Sequence, residues 1–346
     1  MLRFRDLKGR RHADHLGKGA PVTGEETNGF RASRLEPGDH DTDRTTGDET
    51  GLDLYEQALD YCTKTFSGVR RHIPISMAGC SLIIRRMVEI GVGDRLYSST
   101  LQGGEGVDFL VSHSVNVAVY AVKMAVGLGF SRQKQVELGM TGLLHDVGKC
   151  LIPEKLLYKQ GSLSDKEFQM VRKALNHGYN LLRSLGKEHV YLAQCCLQIY
   201  ERIDGTGYPK GLKGDEIHEY AQIIGLVDVY EALTHSRPQR EKLLHLAAVK
   251  ELIKSGKSAF LRPHLKAFLR AFSIFPLDSY VKLNSNAIGR VTQTYLDQPT
   301  RPRLQMISDS QGSPVLTEQV VNLPEHPYLY IVDSVSEAEL GNVTSP

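Results

Sequence analysis

A few polar side chains fall inside runs that are otherwise apolar. His113 sits in VSHSV, the adjacent pair His145-Asp146 in LLHDVGK, and Asp228 in IIGLVDVY. A histidine beside an aspartate in a buried helix is unfavourable unless something compensates both groups. A divalent cation does so, because neutral imidazole and carboxylate bind it together. The doublet also reads as an ordinary helix C-terminus, with a polar cap and a stop at Gly148. Taken alone it admits both readings. A second unusual stretch, ERIDGTGYP at 201–209, packs two glycines and a proline into one loop, in which Gly205 and Gly207 permit backbone angles other residues avoid and Pro209 fixes the exit.

The elements that must hold these residues are helical. From Asp108 to Phe275 the apolar positions recur with a period near 3.6, which predicts about seven helices and almost no strand. Breaks fall at Gly129, Gly148–Pro153, Gly161, Gly186, Gly205–Gly214, Pro238 and Gly256. Ser131 and Ser164 are N-cap candidates, and Glu167 gives Ser164 the spacing of a capping box. Two earlier amphipathic runs, one carrying Leu54, Ala58 and Tyr61 and the other Ile75–Ile90, form a helical preamble. After Pro276 the pattern alternates. Tyr280–Leu283, Ile288–Thr294, Arg303–Ile307 and Tyr328–Val332 read as short strands, with a turn at Asn284-Ser285-Asn286. The expected organisation is a disordered tail over 1–50, an N-terminal helical region over 51–100, the main helical domain over 101–275, a small β appendage over 276–335 and a tail over 336–346. The fold class is therefore all-α, a helical bundle with a small C-terminal β appendage.

Composition narrows the function. The 346 residues are 41% hydrophobic and 24% charged, enough to bury a core, while the first fifty have too few large apolar side chains to contribute to it. A net charge of +2 is too small to argue for nucleic acid or an anionic membrane surface, and no nucleic-acid partner is expected. The five cysteines, Cys62, Cys80, Cys150, Cys195 and Cys196, form no CxxC pair and suit reduced thiols in the cytoplasm. No signal peptide is read at the start. The most apolar window, Phe109–Phe130, carries His113, Asn116 and Lys123, so a buried core helix is expected there rather than a membrane span. There is no P-loop or Rossmann phosphate loop.

Taken in order, His113, HDVGK at 145–149, ERIDGTGYP at 201–209 and DVYEALTHSRP at 228–238 resemble the HD-GYP family over about residues 100–275. This is a branch of the HD phosphohydrolase superfamily whose members hydrolyse cyclic di-GMP. The resemblance implies an HD-type helical bundle with a metal site at His113, His145, Asp146 and Asp228. It implies catalytic roles for Asp146 and Lys149, with Lys149 near a substrate phosphate. It further implies substrate contacts from Tyr208, Pro209, Arg237 and Arg240, with planar Arg forks suited to phosphate. The GYP loop would face the substrate or a diguanylate cyclase domain.

The chain departs from the family at the second metal. Its three histidines correspond to Ala174, Ile199 and Tyr200; Ala and Ile have no lone pair to donate, and Tyr200 is a poor ligand while its phenol stays protonated. His177, a helical turn beyond Ala174, reads as a surface or helix-end residue. Glu231 replaces an expected aspartate. The expectation is one divalent cation, Fe, Mn or Zn, or none, and a phosphodiesterase slowed roughly a hundredfold by the loss of roughly 3 kcal/mol of transition-state stabilisation. The competing expectation is a module that binds a cyclic dinucleotide, or a diguanylate cyclase partner, without catalysis.

Overall fold

The computed structural model describes residues 44–92, 94–102, 107–161, 163–236, 242–295, 297–336 and 339–340. The helices are α1 (Arg44–Arg70), α2 (Met77–Ile90), α3 (Asp94–Gln102), α4 (Phe109–Gly127), α5 (Arg132–Leu144), the single turn α6 (Glu154–Leu157), α7 (Asp165–Arg183), α8 (Val190–Gln198), α9 (Glu219–Thr234), α10 (His245–Gly256) and α11 (Arg262–Ala271). Strands follow as β1 (Tyr280–Leu283), β2 (Ile288–Gln293), β3 (Arg303–Ser308), β4 (Val320–Asn322) and β5 (Ile331–Val335). The architecture is thus mostly helical with a small antiparallel C-terminal sheet. Residues 1–43 of the expected tail lie outside the described residues, and α1 already begins at Arg44, ahead of the expected boundary. In the expected C-terminal tail, only residues 336, 339 and 340 are described.

The bundle is built around α4 and α9. Both are apolar on every side, and a helix of that kind has to be surrounded by others. α4 packs against α1, α2, α3, α5, α9 and α11. By length and composition α4 could cross a bilayer, but it lies buried in the core. It approaches α5 closely at Gly142, where a Cβ would stand 2.9 Å from Ala118 Cα. Tyr97, Tyr120, Tyr230, Phe268 and Phe272 pack at tilted and edge-to-face angles, tying α3, α4, α9 and α11 together. The caps read from sequence are in place. The Ser131 hydroxyl accepts the Lys134 N–H, and Ser164 with Glu167 completes a capping box on α7.

The sheet order is β4-β3-β2-β1-β5, antiparallel throughout. One face is buried on its own small core, including Val281, Leu283, Val291, Leu304, Met306 and Leu323. Asn286, in the left-handed region at φ 71°, closes the β1–β2 hairpin where a turn was expected. The last strand begins at Ile331 rather than Tyr328, and β4 was not anticipated from sequence. Three residues are too few to show alternation.

Candidate metal centre

α5 ends at the doublet. His145 is its C-cap, and Asp146 leaves helical geometry at φ −107° and ψ 11° before a tight 3-10 turn over Val147–Leu151. On a continuing helix, adjacent side chains would diverge by roughly 100°. The break at Asp146 lets both face the same point. Gly148 serves a different purpose from the one its sequence suggested. Its φ is not positive, but a Cβ there would collide with the Ala174 carbonyl and the Gly178 N–H of α7. The glycine allows α7 to lie directly on the turn. Meanwhile α4 delivers His113 and α9 delivers Asp228.

These four side chains converge. His113, His145, Asp146 and Asp228 are 1%, 1%, 3% and 7% exposed, and one potential ligand atom from each lies within 4.8 Å of the others. His113 Nε2 is 3.2 Å from His145 Nε2, 3.4 Å from Asp146 Oδ2 and 3.1 Å from Asp228 Oδ1. His145 Nε2 is 3.3 Å from Asp146 Oδ2 and 3.8 Å from Asp228 Oδ1. Atoms held ~2.0–2.2 Å from one ion at octahedral or tetrahedral angles stand roughly 2.8–3.6 Å apart. Four of the five separations fall in that range and the fifth lies just outside, so the donor set fits a single divalent cation.

The outer partners fix the ring tautomers. Glu231 Oε2 is 2.6 Å from His113 Nδ1, and an ionised carboxylate can only accept, so Nδ1 carries the proton and Nε2 faces the cluster. His145 Nδ1 donates to the Gly142 carbonyl at 2.7 Å, with the same result. Asn116 donates to Glu231 Oε1 at 3.3 Å, and the Tyr55 hydroxyl donates to Asn116 Oδ1 at 2.7 Å. Glu231, Asn116 and Tyr55 therefore belong to the centre although sequence reasoning gave them no such part. The available signal was Glu231 at i+3 from Asp228, on the same face of a buried helix. Burial opposes charge on His113, yet Glu231, Asp146 and Asp228 around it push its pKa up to about 10. Burial likewise opposes ionisation of Asp146, but Lys149 and His145 hold its carboxyl well below the usual range. A cluster that attracts positive charge this strongly is suited to a cation.

The three positions where the resemblance leads one to expect second-metal histidines hold other side chains. Tyr200 stands beside the centre, its hydroxyl donating to Asp146 Oδ1 at 3.3 Å and accepting from Lys149 Nζ at 3.0 Å. Lys149 also bonds directly to Asp146 Oδ2. Ile199 is fully buried in the main core, and Ala174 packs with Ile152 and Leu156. Ala174 and Ile199 carry no ligand atom, and the Tyr200 hydroxyl is engaged with Asp146 and Lys149. His177 is half-buried and not among the converging ligands.

The GYP loop packs against the same place. Gly205 takes φ 77°, as its sequence suggested. Gly207 does not have a positive φ. A Cβ there would strike the backbone of Tyr200 and Glu201. The Tyr208 ring stacks on Tyr200, 5.1 Å between centroids and 12° from parallel, and the Arg172 guanidinium lies 4.7 Å from the Tyr208 ring centroid. Glu201 accepts the N–H groups of Lys210 and Leu212, which closes the loop. Pro209 is exposed. Arg237 and Arg240 lie outside the described residues.

Residues 105–261 match the HD domain family, and residues 280–343 match a KOW domain associated with the HD domain. The chain is 31% identical over 216 residues to the cyclic di-GMP phosphodiesterase PA4108 of Pseudomonas aeruginosa, covering 62% of this chain and 52% of that one. It is 32% identical to the cyclic di-GMP phosphodiesterase PdeB of Borreliella burgdorferi, covering 58% and 52%. The chain therefore spans about half the length of these curated relatives. Its fold is similar to that of Bd1817, an HDG"Y"P protein from Bdellovibrio bacteriovorus, with a TM-score of 0.53 at 19% identity over 66% of this chain and 73% of that one. Sequence, ligand cluster and helical fold agree: residues 105–261 are an HD domain, and the motifs read from the sequence match its HD-GYP branch.

Proposed function

We propose that this chain is a cytoplasmic phosphodiesterase that opens cyclic di-GMP at a centre with one divalent cation. The carrying observation is the buried convergence of His113, His145, Asp146 and Asp228 at ligand spacing. Named relatives that act on cyclic di-GMP supply the substrate. The four residues accept Fe, Mn or Zn by their chemistry. Once bound, the cation supplies Lewis acidity, polarising a phosphoryl oxygen and acidifying water for attack at neutral pH. His113 and His145 present Nε2 in a fixed tautomer. Asp146 Oδ2 meets both the ligand cluster and Lys149, which puts the positive charge of Lys149 beside the place of the reacting phosphate. Pro209, Tyr208, Arg237 and Arg240 are the proposed further substrate contacts. The five cysteines are free and buried, in keeping with a reducing compartment.

The activity is slow, because Ala174, Ile199 and Tyr200 offer no second cation site. A purely binding role, including docking of a diguanylate cyclase domain on the GYP loop, has less support. Glu201 is spent closing the loop and Tyr208 is stacked on Tyr200 beside the centre, which leaves Asp204, Thr206 and Pro209 as the exposed motif side chains. Incubation of the metal-loaded protein with cyclic di-GMP separates the readings. Slow appearance of the linear dinucleotide, abolished by His145→Gln, supports the enzyme. Binding without any product would establish the binding module instead.

A further inference from the structure

Hydrolysis of a phosphodiester gains most when positive charge stands on both the attacking and the leaving side. The ligand cluster provides for one cation. The neighbouring positive charge is the ammonium of Lys149, which is 5% exposed and bonded to Asp146 Oδ2, the same oxygen that faces His113 and His145. One carboxylate thus serves the ligand cluster on one side and an ammonium on the other. Lys149 is held there by a second partner, the Tyr200 hydroxyl at 3.0 Å, which in turn donates to Asp146 Oδ1 at 3.3 Å. Asp146, Lys149 and Tyr200 close a ring of three hydrogen bonds.

The ring has a brace. Tyr200 is stacked on Tyr208 of the GYP loop, and Arg172 caps Tyr208 from α7 at 4.7 Å. Phe168, one turn earlier on α7, meets Tyr208 edge to face at 5.9 Å. The loop is itself pinned by Glu201. The tyrosine at position 200 is therefore more than a lost ligand, because its ring is clamped and its hydroxyl aims at the ammonium.

We propose that the Lys149 ammonium, gripped by Asp146 and Tyr200 and braced through Tyr208 by the GYP loop, is the second cation of this centre. It is a built-in single charge sharing Asp146 with the metal. The inference rests on the phosphodiesterase reading for its purpose, but its test does not. Two cations sharing one carboxylate repel each other, strongly so in a buried site. A lysine that reached out to a substrate phosphate and left Asp146 Oδ2 to the metal would stand farther from the cation and carry a much smaller penalty on metal binding.

The test is a titration of metal-stripped full-length protein with Mn2+ in the absence of any nucleotide. Lys149→Met and the more conservative Lys149→Gln both remove the charge, and either is expected to bind the metal at least tenfold more tightly than the unaltered chain. Unchanged or weaker binding in a variant that keeps its melting transition would overturn the proposal. The brace is read separately by acylation of Lys149, followed by mass spectrometry. Tyr200→Phe keeps the ring stack and is expected to raise the labelling rate several-fold; an unchanged rate would overturn that part. Failure of cyclic di-GMP hydrolysis touches neither result.

Discussion

Glu231 Oε2 lies 2.6 Å from His113 Nδ1, on the side of the ring away from the ligand cluster. The pair joins α9 to α4, and Glu231 is one turn beyond Asp228 on the same helix. A single helix face thus supplies both a ligand and the group that orients another ligand. Removing such a partner ordinarily costs about 10–100-fold in metal affinity. Glu231→Gln, which keeps the size and loses the charge, is expected to weaken Mn2+ binding by about that factor. Calorimetric titration checks it, and an affinity within twofold of the parent would remove Glu231 from the centre.

Metal removal should destabilise the fold, because the ligands come from α4, the α5 terminus and α9. A cation at 100 times its Kd stabilises the folded state by about 2.7 kcal/mol. For a domain of this size that corresponds to roughly 5–10 °C in melting temperature. A chelator is expected to lower the melt by that amount, and Asp228→Asn should abolish the difference. An equal chelator effect in Asp228→Asn would place the stabilising metal elsewhere.

Gly148→Ala probes the contact between the turn and α7. The added Cβ meets backbone atoms of Ala174 and Gly178, which have no rotamer to yield. Overpacking of this kind costs about 1–3 kcal/mol, or roughly 2–10 °C in melting temperature, and should also loosen metal binding. A melt equal to that of the parent would show that α7 is free to move.

Much of the centre was legible because polar residues in apolar helices are costly and therefore conspicuous. His113, His145, Asp146 and Asp228 stood out for that reason, and all four converge. The capping box at Ser164 and the β1–β2 hairpin were legible because each is a local pattern. What the sequence left unread depends on contacts between distant segments. Gly148 looked like a turn glycine because nothing local reveals that α7 lies against it. Glu231 looked like a mere departure because its partner is 118 positions away. Tyr200 looks in sequence like a lost ligand position alone, because its link to Lys149 spans 51 positions. The late start of β5 has a similar cause. Tyr328 and Tyr330 continue the alternation in sequence, but the chain joins the sheet only at Ile331.

Restoring histidine at Ala174, Ile199 and Tyr200 together is expected to raise metal content toward two per chain and recover part of the rate. The change also removes the acceptor that holds Lys149. Because Ile199 is fully buried, the triple variant should melt lower than the parent when stripped and regain stability on loading. Elemental analysis beside thermal melts checks both. Metal content that stays at one would show that more than ligand identity closes the second site.

The account stands most directly on the rate of cyclic di-GMP cleavage measured against metal added per chain. The expected curve rises to one equivalent of metal and is flat beyond it, at a plateau roughly a hundredfold below a two-metal relative. A rate that keeps rising to two equivalents, or no product at any loading, would contradict it.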